Sequence, residues 1–409
     1  MGFESRLGCL VTDWCPVLGV SLLPCVAGWA PVTPYGTSGS ESVCFPLMMN
    51  YSHPGTSQHL HFCYESSNKS CPQYIYSLAV RVPLYIFFSA AILLTVFGNL
   101  LVIIAIAHFK QLHTPTNYLV LSLAIADFLL GAIIMPPSMV RSMETCWYLG
   151  NLFCKFHSSS AVTLCTASIV NLSFISIDRY YAVCQPLQYQ TKITNCVTVV
   201  MVLICWSLSV VTGFGMVFLE LNILGIEDVF YENIDCVGGC TMFQSFASSF
   251  ICSTISFYIP GFIMIGIYWK IFFIAKRQAR SIHTSAFQNG NLQRIKSSQT
   301  KMEQKSTKTL AIVMGVFLSC WTPFFLCNII DPVINYSIPP LLLDTLVWIG
   351  YLNSAFNPLI YAFFYSWFRK AFIMIIFCEI VEIQLCPLPL FPCVLCYITY
   401  IAHSAELRS

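Results

Sequence analysis

Charge is what this sequence has least of. Lys and Arg number 20 and Asp and Glu 18 among 409 residues, or 9% of the chain, where a soluble domain carries about a quarter. Hydrophobic residues make up 57%, and the mean hydropathy is +0.72. Most of the surface must therefore meet lipid rather than water. The net charge of +2 is small, and no nucleic-acid partner is expected. Inverted repeats of broken helices are missing, which argues against a secondary transporter. The histidines are scattered, with His59 and His61 read as a solvated segment rather than a metal site. Nothing in the chain resembles an enzyme's catalytic constellation.

What is present are apolar runs of membrane-spanning length. They fall near 82–107, 117–140, 151–183, 196–218, 244–274, 307–330 and 341–365. The expected fold is an all-α membrane protein, a seven-transmembrane helix bundle with a short amphipathic helix after the last span. Segment 276–308 carries Lys276, Arg277, Arg280, Arg294, Lys296, Lys301, Lys305 and Lys308 against Glu303, whereas segment 219–243 holds five acidic residues and no Lys or Arg. The positive-inside rule makes the first cytoplasmic, so the N-terminus is expected outside the plasma membrane.

The expected organisation is an extracellular segment over 1–81, the spanning domain over 82–370 and a cytoplasmic tail over 371–409. Residues 1–47 mix Gly, Pro, Cys and Trp without period and read as a gene-model extension. The apolar 381–409 is atypical of a solvated tail, and Pro387, Pro389 and Pro392 oppose a regular helix there. Asn50 and Asn68 open glycosylation sequons in the N-terminal segment, and Asn335 opens another in the last outer loop.

Polar groups inside apolar runs carry the mechanism. Asp178-Arg179-Tyr180 closes the third span. A guanidinium held by Asp178, with Glu303 just before the sixth span, makes a breakable latch between helix ends. Asp127 stands alone in the second span, and a buried carboxylate must be neutralised, hydrated or ion-bound. Asn99, Ser168, Asn353 and Asn357 are its candidate neighbours, an oxygen-rich set suited to a sodium ion. A hydrogen-bonded network without an ion is the equal alternative. Pro323 in Cys320-Trp321-Thr322-Pro323 removes a backbone hydrogen bond and can act as a hinge. Phe324, Phe325, Trp348 and Tyr351 add aromatics below the outer mouth.

Taken in order, Gly98-Asn99, Asp127, Cys154, Asp178-Arg179-Tyr180, Trp206, Pro260, Cys320-Trp-Thr-Pro323 and Asn357-Pro358-x-x-Tyr361 resemble the rhodopsin-like G-protein-coupled receptors. The resemblance covers about residues 78–380. Within that class the chain is similar to the trace amine-associated receptors. His108-Phe-Lys-Gln-Leu-His-Thr-Pro-Thr-Asn117, Phe174–Cys184, Phe214–Asn222, Cys236-Val-Gly-Gly-Cys240, Gly350–Ser354 and Ala362–Ala371 carry that likeness.

The resemblance implies a receptor for a small aromatic amine that activates a heterotrimeric G protein of the stimulatory kind, raising cAMP. It implies coupling through Arg179 with Asp178, Tyr180, Glu303, Asn357, Pro358 and Tyr361. It also implies a pocket of Ala161, Val162, Cys165, Ser256, Trp321, Phe324, Phe325, Trp348 and Tyr351. Cys154 and Cys240 are expected to pair, since one opens the third span and the other closes the acidic loop. Cys236 would then pair with Cys63 or Cys71, with Cys146 available to whichever remains.

One position departs from the family. Aminergic relatives place an aspartate in the third span to meet the ligand ammonium, and here that position is Ala161. The span-five carboxylate of some relatives falls at Cys252 or Ser253. The alternative is thus the same mechanism with a non-amine ligand. A transporter or channel, the third possibility, needs a polar conduction path that these spans do not offer.

Overall fold

The computed structural model describes residues 61–67, 69–285, 292–364, 368–373 and 375. Asn50, Asn68 and the segments 1–47 and 381–409 lie outside the described residues, as do the side chains of Glu303 and Tyr361. Seven long helices dominate: α1 (Leu78–His108), α2 (Pro115–Glu144), α3 (Asn151–Cys184), α4 (Asn195–Phe218), α5 (from Phe246 to Ser285), α6 (Leu292–Val333) and α7 (Pro340–Phe364). The first six are long and apolar enough to cross a membrane. The seventh is more polar, carrying Asp344, Asn353 and Asn357.

Burial is inverted relative to a soluble protein. Ile86, Val211, Phe262 and Trp269 are well exposed, whereas Asn99, Asp127 and Asp178 are fully buried. Apolar side chains face lipid, and polar ones gather where other helices satisfy them. Helix α3 sits centrally, against α2, α4 and α5, and α7 closes the ring onto α1 and α6. Close approach at two crossings requires glycine. A Cβ on Gly98 would meet Pro358 Cγ at 2.6 Å, and one on Gly213 would fall 2.5 Å from the Ser159 carbonyl.

Start signals are local. Thr114 caps α2 by accepting from the Asn117 amide with Pro115 in the first turn, and Thr194 and Ser245 cap α4 and α5 in the same way. Two π turns widen the bundle, at Leu130–Ile134 in α2 and Thr254–Tyr258 in α5. Each precedes proline: Pro136 and Pro137 in one case, Pro260 in the other. A proline cannot donate to the carbonyl four residues back, so the preceding turn is free to loosen.

Three disulfides tie one end of the bundle together: Cys154–Cys240, Cys71–Cys236 and Cys63–Cys146. The strands β1 (His61–Phe62) and β2 (Pro72–Gln73) form an antiparallel hairpin beside them, and Ser70 bridges to Val237. Gly238 takes φ +92°, and a Cβ on Gly239 would meet Cys71 Sγ at 2.8 Å, so this loop needs both glycines. At the opposite end residues 368–373 form a helical turn with Phe368 and Ala371 buried and Arg369 and Lys370 exposed. That is the amphipathic pattern expected after the last span.

Candidate functional site: a polar core beneath an aromatic layer

The polar residues fall into layers along the bundle. At the end opposite the disulfides, Asp178 on α3 is fully buried and accepts hydrogen bonds from several donors. Arg179 Nε donates at 2.7 Å, Thr116 Oγ1 at 2.8 Å and Tyr189 OH at 3.0 Å. Arg179 also donates through Nη2 to Asp178 and to Thr116. Thr116 comes from the first turn of α2, and Tyr189 from a short helix, Pro186–Lys192, that follows α3. The latch therefore joins α3 to its own following loop and to α2. Lys270 on α5 stands 5.7 Å from the Tyr180 ring centre.

Beside Arg179 opens a cleft. Its walls come from α2 (Thr116, Asn117), α3 (Leu172, Ile175, Ser176), α5 (Tyr268), α6 (Val313, Met314) and Phe368 beyond α7. Arg179 keeps 18% of its side chain exposed at this cleft, against none for Asp178. The cation is accessible and its partner is not.

Mid-bundle, Asp127 is held from α7. Ser354 Oγ donates to Oδ1 and Asn357 Nδ2 to Oδ2, each at 2.7 Å. Asn99 on α1 joins the cluster by donating to the Ser354 carbonyl at 3.0 Å. Asn99 Oδ1, Ser168 Oγ and Asn353 Nδ2 are buried without a hydrogen-bond partner. Buried oxygens of that kind call for an ion or ordered water, and the Asn353 amide nitrogen, a donor, calls for an acceptor such as water. One carboxylate with neutral oxygens suits a monovalent cation, and no cluster of three or more His, Cys, Asp or Glu exists among the described residues.

Nearer the disulfides, aromatics pack between α5, α6 and α7. Phe325 stacks on Phe257 at 4.5 Å between ring centres, and Trp321 lies 5.8 Å from Phe325 and 6.1 Å from Phe324. The Trp321 indole rests against α7 at Gly350, where a Cβ would meet its ring at 2.6 Å, and Trp321 Nε1 has no hydrogen-bond partner. Ser256, on the π turn of α5, accepts from Thr166 Oγ1 of α3 at 3.1 Å. Ala161, Val162 and Cys165 on α3 are partly buried on the inner side of the bundle. Trp348 looks elsewhere. It stacks on Phe88 of α1 at 4.0 Å and donates to Ser142 of α2 at 3.0 Å, while Tyr351 packs 5.7 Å from it.

Several partners were not legible in the sequence. Thr116 and Tyr189 hold Asp178 from outside the third span, and nothing in the sequence singles out Ser354 as a partner of Asp127. Asp344 pairs with Arg141 Nη2 at 2.9 Å. Asp331 accepts from the Ile338 amide at 3.0 Å.

A buried ion pair, a polar core around a lone carboxylate and an aromatic layer beside Pro323 make up the bundle of a seven-helix membrane receptor. Comparison with known proteins agrees. Residues 98–361 match the family model described as 7 transmembrane receptor (rhodopsin family). Trace amine-associated receptor 1 of Macaca mulatta is 54% identical over 323 residues, covering 78% of this chain and 95% of that receptor. The Homo sapiens receptor 1 is 53% identical over the same length and shares, and receptor 4 of Mus musculus is 49% identical over 329 residues, 80% of this chain and 94% of its own. The chain belongs to the trace amine-associated receptors. It is a multi-pass membrane receptor that takes a small-molecule ligand and couples to a G protein, and it is not an enzyme.

Proposed function

We propose that this receptor senses a small aromatic, amine-bearing ligand between α3, α5, α6 and α7 and activates a stimulatory G protein, raising cAMP. Its N-terminus and the disulfide-bearing face are outside the cell, a placement supported by the Lys and Arg excess of 276–308. The observation that carries the reading is the Asp178–Arg179 latch beside an open cleft, below the Trp321–Gly350 contact that couples α6 to α7. A ligand that moves Trp321 biases the Pro323 hinge, and α6 then swings relative to Arg179. A sodium ion in this scheme would be held by Asp127 and Ser168 with Asn353 and Asn357, supplying charge neutralisation that favours the resting packing.

The second reading, a ligand other than a simple protonated amine, is favoured by Ala161. Losing one partner of a buried charge pair costs about 3–5 kcal/mol. Cation–π contact with the aromatics returns roughly 2 kcal/mol. The remainder of about 1–3 kcal/mol is roughly five- to hundredfold in affinity. Ala161→Asp decides between them. In a cAMP assay with matched surface expression, phenethylamine should gain potency by that factor. A well-expressed variant with no gain for any primary amine means that the pocket has diverged from amine recognition.

A further inference from the structure

We infer that the ligand of this receptor is a zwitterion of the aromatic α-amino-acid type, received by the Arg141–Asp344 pair. The inference rests on the receptor reading above and names the chemistry of its ligand. Arg141 on α2 and Asp344 on α7 meet at 2.9 Å, each with a quarter of its side chain exposed. Trp348 and Tyr351 follow Asp344 at i+4 and i+7 on α7, both buried, with Trp348 turned towards Phe88 of α1 and Ser142 of α2, the helix that carries Arg141. Ala161 offers no carboxylate on α3.

Charge balance then selects the ligand. A lone cation that takes Asp344 from Arg141 leaves the guanidinium with the Cys240 carbonyl but no counter-charge, which is the costly case. A lone anion on Arg141 strands Asp344 in the same way. A neutral ligand leaves the pair closed and gains nothing from it. Only a molecule with both charges gives each residue a new partner as the old one is lost. Its carboxylate can take the planar fork of Arg141 in bidentate fashion, and its ammonium takes Asp344. Arg141 has a second anchor throughout this exchange: Nη1 donates to the Cys240 carbonyl at 3.3 Å, and the Cys154 disulfide holds Cys240 to α3.

The test uses the full-length receptor in cells, with surface numbers counted, and three probes sharing one ring: L-phenylalanine, phenethylamine and 3-phenylpropionate. L-phenylalanine should signal at least tenfold more potently than either singly charged probe. Asp344→Asn and Arg141→Gln should each cost tenfold or more, while the exchanged pair Arg141→Asp with Asp344→Arg recovers part of the loss. Ala161→Asp should reverse the preference towards phenethylamine by adding an unpaired negative charge. Phenethylamine equal to or better than L-phenylalanine in the unaltered receptor overturns the inference, as does full potency in Asp344→Asn. Silence towards L-phenylalanine overturns it too. If Ala161→Asp then answers phenethylamine the receptor reading survives, and if neither form answers any probe that reading falls with it.

Discussion

Replacing Asp178 by Asn should switch the receptor partly on without ligand. The substitution keeps the volume and one acceptor oxygen but removes the charge that draws Arg179, Thr116 and Tyr189 together. Hydrogen bonds to a charged group are worth about 1.5–3 kcal/mol. Only the part made in the resting state and lost in the active one shifts the equilibrium. Thr116 and Tyr189 come from α2 and from the loop after α3, so their bonds to Asp178 tie α3 to elements that frame the cleft. Loss of that amount multiplies the ratio of active to resting receptor by about 13 to 160. From a resting population of roughly 1% active, the variant would reach about 10–60%.

The measurement is ligand-independent nucleotide exchange on the G protein in membranes, divided by receptor number at the cell surface. Arg179→Ala in the same background should abolish that exchange if, as proposed, the guanidinium at the cleft is the group the partner meets. Basal exchange unchanged from the parent, in an Asp178→Asn receptor present at normal surface levels, would refute the latch.

Other perturbations probe the remaining layers. Gly350→Ala places a methyl 2.6 Å from the Trp321 ring, so it should destabilise the solubilised receptor by about 1–3 kcal/mol and alter ligand efficacy, seen by thermal melting and dose–response. Cys71→Ser opens the link to Cys236 and should lower stability by about 2–5 kcal/mol; unchanged melting would remove the hairpin from the stabilised fold. Exchanging choline for sodium at constant ionic strength should lower the melting point of the unliganded receptor, since a ligand at tenfold its Kd contributes about 1.4 kcal/mol. Asp127→Asn should erase that difference.

How much of this was readable beforehand follows from the range of each interaction. Helix positions depend on local composition, and the seven apolar runs lie within a few residues of the helices, apart from α5, which runs on to Ser285, and α6, which begins at Leu292 well before its apolar part. The π turns had a local signal in Pro136-Pro137 and Pro260, but a missing donor permits a widened turn without requiring one. Asp127 announced that it needed partners, and Asn357 was among those expected. Ser354 was hidden because a serine on an apolar helix has no distinguishing context. Tyr189 was hidden because it lies in a loop, and only the fold brings it to Asp178.

The pairing of Arg141 with Asp344 shows the limit most sharply. The two residues are separated by 203 positions, and each alone reads as an ordinary charge near a membrane boundary. From sequence alone Asp344 is a carboxylate near the outer mouth that could bind a cation, though solvent would screen it. Placed against Arg141 it is already neutralised, and the same residue now disfavours a lone cation. A sequence reports which charges exist, whereas ligand selection depends on which of them remain unpaired after folding. The substitution at Ala161 matters for the same reason: it removes the carboxylate that relatives direct at the ammonium and leaves a charge-balanced pair nearest the aromatic face of α7.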